Sequence, residues 1–193
     1  GHPGLGQSTG YDYTRTASPT RDILQEGLAV LENGVQGFAT SSGMSAIQLA
    51  FSIFPANSHF VASRDLYGGS FRYFQDMEKK GFYSFTYVDD PIDITSAIQD
   101  NTAAVYIETP TNPLMKETDI AAVAEIAKKH GLLVIVDNTF YTPLLQRPLD
   151  LGADIVVHSA TKYLGGHNDL LAGAVVTNNK ALGEQLAFQL NTA

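Results

Sequence analysis

Short apolar runs alternate along this chain with stretches that carry an apolar residue every third or fourth position, a pattern that predicts strands and helices in turn. GFAT (37–40) precedes GMSAIQLAFSIF (43–54), HFVAS (59–63) precedes a stretch ending at Lys80-Gly81, and AVYIE (104–108) precedes DIAAVAEIAKKHG (119–131). LLVIVD (132–137) and DIVVHS (154–159) follow, and a further helix runs toward Ala193. Continuous runs such as LLVIV mark strands buried on both faces, so the expected architecture is α/β, with a mostly parallel sheet flanked by helices.

Upstream of the first run, residues 1–17 show no hydrophobic period and read as an extended N-terminal arm. Ser18-Pro19 is a helix-start signal, with Ser as cap and Pro at the first helical position. Ile23, Leu24, Leu28 and Leu31 then share one face, and Asn33-Gly34 ends the helix. Residues 18–193 form one α/β domain on this reading, without an internal repeat, low-complexity tract or interdomain linker.

Composition narrows the function. The formal net charge of −8 argues against non-specific nucleic-acid binding, which needs clustered Lys and Arg, and favours a small-molecule substrate. The absence of cysteine removes disulfides, thiolate catalysis and cysteine metal sites. No apolar run reaches the roughly 18 residues of a membrane span. The N-terminus carries no basic start and no apolar stretch, so a cytoplasmic protein without a membrane anchor is expected. Because Gly1 is not an initiator Met, a processed or trimmed end leaves a targeting signal open.

In open parallel sheets ligands bind beyond the carboxyl ends of the strands. Four polar segments follow the apolar runs: Ser41-Ser42-Gly43-Met44, Glu108-Thr109-Pro110-Thr111-Asn112-Pro113, Asp137-Asn138-Thr139 and Ser159-Ala160-Thr161-Lys162. An Asp at a strand end also occurs in nucleotide-binding and phosphotransfer folds, and a lone Lys is usually a solvated surface charge, so the combination carries more than either residue. Phosphate-loop, nucleophile-elbow and zinc-protease signatures are absent, and GLGQSTG (4–10) is spaced wrongly for a dinucleotide fingerprint. His158, His167 and Asp169 lack a recognised ligand spacing, so no metal site is expected.

Six ordered motifs, YDYTRTASPTRDILQ, SSGMSAI, DLYGGSFR, ETPTNPL, IVDNTF and HSATKYLGGHNDLLAG, resemble the Cys/Met metabolism family of pyridoxal-phosphate enzymes over essentially the whole chain. The resemblance implies the aspartate-aminotransferase-like fold (fold type I), with residues 18–193 as its large cofactor-binding domain. The family's C-terminal domain, which supplies the arginine for the substrate carboxylate, is expected outside these 193 residues.

By the same resemblance pyridoxal 5'-phosphate is the cofactor and is held covalently on the amine of Lys162. Asp137 faces its pyridine nitrogen, Gly43, Met44, Ser159 and Thr161 bind its phosphate, Tyr67 stacks on its ring and assists proton transfer, and Asn112 bonds its phenolic oxygen. Tyr13 and Arg15 resemble phosphate ligands donated by a neighbouring subunit, which implies a homodimer or homotetramer. Read from the residues alone, Gly43 is equally a strand-to-helix turn, Ser159 and Thr161 helix caps, Tyr67 a packed strand-end residue, Asn112 a turn residue beside Pro113, and Arg15 a surface arginine.

The motif wording is similar to enzymes of γ-replacement, which join an activated homoserine to cysteine or sulfide. Family members that use the succinyl ester often carry a second arginine where this chain has Thr16, so O-acetylhomoserine is the expected substrate. A cystathionine β- or γ-lyase with the same site, and a cofactor-binding fragment without catalysis, are the alternatives.

Overall fold

The predicted strands form because their residues are apolar on both sides of the chain, and a strand surrounded on both faces by helices leaves neither side to water. The computed structural model describes residues 25, 29, 34–64, 66, 68–108, 117–138, 147–158 and 173–192, with the backbone alone for 117–119. Among these residues seven strands form one sheet: β1 (Gln36–Thr40), β2 (Ser58–Ser63), β3 (Tyr83–Val88), β4 (Thr102–Glu108), β5 (Leu133–Asp137), β6 (Ile155–His158) and β7 (Gly173–Thr177). Among the described residues four α-helices with both ends defined accompany them: α1 (Gly43–Phe51), α2 (Gly68–Lys79), α3 (Glu117–Lys129) and α4 (Lys180–Thr192).

The strand order is β1-β7-β6-β5-β4-β2-β3. All pairs from β6 to β3 are parallel, whereas β7 runs antiparallel to both of its neighbours. The mostly parallel expectation therefore holds, with one reversed strand inserted. Because β7 reverses direction twice over, β1 points the same way as β2 to β6. The carboxyl ends of these six strands share one edge.

Alternation along each strand divides the core into two layers. Phe60, Ala62, Tyr106, Ile135 and Val157 face α1, α2 and α4, while Val61, Val105, Ile107, Val136 and Val156 face α3 and its neighbours. The first layer is dominated by aromatic rings: Phe51 lies 4.9 Å from Phe60, 5.1 Å from Phe74 and 5.7 Å from Tyr106, centroid to centroid. Phe74 meets Tyr106 edge-on at 5.1 Å, so the Tyr106 ring is clamped between two neighbours and its hydroxyl direction is set by packing.

The helix stops read from the sequence at Lys80-Gly81 and KKHG match the structure. Gly81 and Gly131 take left-handed φ angles of 72° and 71°, and the following residues, Phe82 and Leu132, donate back to Met77 and Ala127. That is the glycine-terminated helix end in which orphan carbonyls regain partners. Of the helix expected after Ser18-Pro19, Gln25 and Ala29 are described, and both are helical. Gly34 donates to the Ala29 carbonyl at 2.7 Å, in keeping with the stop at Asn33-Gly34. The arm over residues 1–17 and the cap at Ser18 lie outside the described residues.

One polar residue ties three strands together from inside. His59 on β2 is 1% exposed; its Nδ1 lies 2.7 Å from Thr102 Oγ1 on β4 and its Nε2 2.8 Å from Thr86 Oγ1 on β3. A neutral ring has one donor and one acceptor nitrogen, and a hydroxyl serves either. Burial holds the imidazole below its ordinary pKa of 6.5. The unfolded chain therefore binds the extra proton first, so the stability due to His59 is complete above about pH 6.5 and is lost as pH falls through and below that value. Comparing wild type with His59→Asn, the difference in thermal-unfolding midpoint should shrink as pH is lowered from 7.5 to 5. A difference independent of pH would show that His59 protonation is not coupled to unfolding.

Candidate active site

The residues read from sequence as a ligand edge begin at the common carboxyl edge of the sheet. Thr40, Glu108, Asp137 and His158 are the last residues of β1, β4, β5 and β6. Asp137 is 1% exposed and pairs in register with Glu108 on β4 and Val157 on β6. The ladder continues one step past the strand, where Asn138 N donates to Val157 O at 2.9 Å. His158 belongs to the opposite face of the sheet by alternation.

An ionised carboxylate at this depth is costly unless hydrogen bonds replace its water. Here Tyr106, two residues before Glu108 and therefore on the same sheet face, brings its hydroxyl 3.1 Å from Asp137 Oδ2 and 3.1 Å from Glu108 Oε2. Ser70, in the first turn of α2, donates to Glu108 Oε2 at 2.8 Å and lies 3.2 Å from Tyr106 Oη. Burial first, then the Asp137 and Glu108 charges, push the Tyr106 phenol well above the usual range of tyrosine. It therefore keeps its proton at neutral pH.

On the same side of the sheet, α1 starts in a capped turn. Ser42 is extended at φ −148°, ψ 159°, and its Oγ accepts from Ser45 N at 3.0 Å. Gly43 and Met44 occupy the first helical turn, where backbone N–H groups have no intrahelical acceptor and the helix dipole is positive. Thr40 Oγ1 donates to the Ser42 carbonyl at 2.8 Å and braces the turn. The starts of α1 and α2 touch: a β-carbon added to Gly69 would lie 3.1 Å from Met44 Cε. From Met44 through Gly69 and Ser70 to Glu108, Tyr106 and Asp137, the contacts are continuous.

Of the residues expected to form the site, Gly43, Met44 and Asp137 are thus described and occupy one edge and one face of the sheet. Tyr13, Arg15, Tyr67, Asn112, Ser159, Thr161 and Lys162 lie outside the described residues, as do Thr16, His167 and Asp169. Three residues that no sequence argument singled out individually, Tyr106, Glu108 and Ser70, meet Asp137 directly or through one another. Glu108 and Ser70 were visible as members of ETPTNPL and DLYGGSFR, whereas Tyr106 reads as one more apolar position of a buried strand.

A mostly parallel sheet covered by helices, with a buried carboxylate and a capped helix start at its carboxyl edge, fits the class to which the solved structures below assign this chain, the fold type I pyridoxal-phosphate domains. The family model described as "Cys/Met metabolism PLP-dependent enzyme" matches residues 2–193, and the chain belongs to that family. Among curated relatives it is 57% identical over its full length to "Cystathionine gamma-synthase/O-acetylhomoserine (thiol)-lyase" of Bacillus subtilis (strain 168), covering 52% of that protein. It is 52% identical over 98% of its length to the "Cystathionine gamma-lyase" of the same organism, covering 51% of it. It is 49% identical, again over 98%, to "Cystathionine beta-lyase" of Lactococcus lactis subsp. cremoris (strain MG1363), covering 50% of it.

Solved structures agree. Cystathionine gamma synthase from Xanthomonas oryzae pv. oryzae, in complex with aminoacrylate and cysteine, superposes with TM-score 0.82 at 45% identity, over 97% of this chain and 49% of that one. Cystathionine gamma-lyase from Lactobacillus plantarum, complexed with L-serine, gives 0.81 at 44% identity, over 94% and 51%. The chain spans about half the length of the curated relatives it matches. Among the described residues no helix is long and apolar enough to cross a membrane.

Proposed function

We propose that the full-length protein catalyses γ-replacement on O-acetylhomoserine with cysteine or sulfide, yielding cystathionine or homocysteine. The observation that carries the cofactor half of this reading is Asp137, a buried, hydrogen-bonded carboxylate at the end of a central parallel strand. A carboxylate there fits a protonated ring nitrogen, and the first-turn amides of Gly43 and Met44 fit a phosphate. Both ends of pyridoxal phosphate thus find suitable chemistry on one face of the sheet.

The bound cofactor supplies a ring that takes up electron density from the substrate's α-carbon. Asp137 keeps the ring nitrogen protonated by opposing it with a negative charge. Lys162 would hold the cofactor through its amine, and the same amine, when free, would accept the proton of the substrate α-carbon. Ser159 and Thr161 would add hydroxyl donors to the phosphate, Asn112 would orient the ring through its phenolic oxygen, and Tyr67 would cover its face. Tyr13 and Arg15 would serve the phosphate of a neighbouring subunit, and the working unit on this reading is at least a dimer. Soluble amino-acid substrates of this kind are consistent with a cytoplasmic enzyme.

The choice of γ-replacement rests on the 57% identity with a relative named for both cystathionine γ-synthase and O-acetylhomoserine thiol-lyase activity, together with Thr16. Relatives named as γ- and β-lyases at 52% and 49% identity make elimination the second reading. Full-length enzyme given O-acetylhomoserine and cysteine should form cystathionine. Rapid release from cystathionine of pyruvate (β-elimination) or 2-oxobutyrate (γ-elimination) without that synthesis, or a strong preference for the succinyl ester, would overturn the assignment. Borohydride reduction followed by peptide mapping should find the cofactor on Lys162, and a label on any other residue would remove Lys162 from its role.

A further inference from the structure

One buried hydroxyl is unaccounted for by the roles above. Tyr106 Oη stands within hydrogen-bonding distance of three oxygens, Asp137 Oδ2 at 3.1 Å, Glu108 Oε2 at 3.1 Å and Ser70 Oγ at 3.2 Å, yet a phenol has one proton to give. The distances from Tyr106 do not choose between the two carboxylates. Ser70 biases the choice: its own proton goes to Glu108 Oε2 in the shortest contact of the group, 2.8 Å, which lowers that oxygen's demand for a second donor. The balance favours the Tyr106 proton on Asp137.

We propose that Tyr106 is a positioning residue for the cofactor contact of Asp137, its hydroxyl proton fixing the rotation of the carboxylate through Oδ2, with Ser70 reserving that proton by supplying Glu108. The inference rests on the proposed contact between Asp137 and the ring nitrogen. Three features support it. The Tyr106 ring is wedged between Phe51 and Phe74 and is fully buried, so the hydroxyl has little freedom to turn elsewhere. Register pairing of Glu108 with Asp137 puts the two carboxylates side by side, and a donor between them offsets their repulsion. The phenol resists ionisation, so it remains a neutral donor beside two acids. A hydrogen bond to an ionised carboxylate favours the charged form, which is the form the ring nitrogen needs.

The test uses full-length holoenzyme loaded with pyridoxal phosphate labelled with nitrogen-15 in the ring, compared at one neutral pH. Tyr106→Phe keeps the ring in the aromatic cluster and removes only the hydroxyl. It should move the ring-nitrogen chemical shift away from the protonated position and raise the Kd for the cofactor roughly tenfold, the size expected for one hydrogen bond to a charged group. It should also lower kcat about tenfold with KM for the amino-acid substrate within about twofold. Ser70→Ala frees Glu108 to compete for the phenol proton and should shift the nitrogen signal in the same direction by less. A Tyr106→Phe enzyme with wild-type nitrogen shift and Kd would overturn the proposal. Asp137→Asn measured alongside separates the two levels: if it too leaves the nitrogen signal unchanged, the contact with Asp137 is wrong, whereas if it alone moves the signal, only the role of Tyr106 fails.

Discussion

Replacing Asp137 with alanine in the full-length holoenzyme should lower kcat/KM about 10²–10⁴-fold, the consequence of breaking a buried charge pair at a cost of about 3–5 kcal/mol. The carboxylate is buried at a strand end, and without it the ring nitrogen of the proposed contact would face nothing that bears charge. Asp137→Asn distinguishes charge from shape, because it preserves volume and hydrogen-bonding reach but is neutral. It should fall in the same range as alanine. Folding should suffer less than catalysis, since Tyr106 retains Glu108 as an acceptor when Asp137 is removed. Near wild-type turnover by Asp137→Asn, measured at saturating cofactor, would show that a negative charge at this strand end is unnecessary and would withdraw the electron-sink role.

The second large effect is expected at Gly173, on the reversed strand β7, where it pairs with Thr40. A β-carbon built there would overlap the Ser42 carbonyl oxygen and sit 2.5 Å from Thr40 Oγ1 and 2.9 Å from the Ser42 carbonyl carbon. Two of these atoms are backbone and cannot swing aside, so Gly173→Ala must push the turn that caps α1. Overpacking of this kind costs about 1–3 kcal/mol. Because Ser42 sets the start of α1, the displacement should also disturb the Gly43 and Met44 amides and weaken cofactor binding. Gly81→Ala is the matched control: nothing lies within 4 Å of its β-carbon position, and its φ of 72° costs an alanine about 1 kcal/mol of strain far from the edge. Thermal midpoint and cofactor Kd should both worsen for Gly173→Ala, but only the midpoint for Gly81→Ala. Equal Kd values in the two variants would show that the turn does not contribute to the phosphate site.

Two strands escaped the sequence pattern, each for a physical reason. The run YSFTYV forms β3 at the edge of the sheet, where only alternate residues near its start are buried, so it carries no continuous apolar signature. The run GAVVT forms β7, which is apolar and fully buried, yet it follows the motif-rich segment after β6 without a helical period that would announce a new unit. Its antiparallel direction is a property of pairing with β1 and β6, which no local pattern encodes.

What the chain's own residues determined was local: apolar runs buried on two faces, helix stops at Lys80-Gly81 and His130-Gly131, the Ser42 turn, and a carboxylate closing the most apolar strand. These follow from side-chain hydrophobicity and backbone freedom, both readable from near neighbours. The tertiary structure alone decided which of those ends lie together. Parallel register set Glu108 beside Asp137, alternation turned Tyr106 to the same face, and the start of α2 lowered Ser70 onto the pair. Tyr106 shows why: its ring satisfies the demands of a hydrophobic core, so its sequence context reports packing. Its hydroxyl acquires a partner only when strands distant in the chain are hydrogen-bonded side by side.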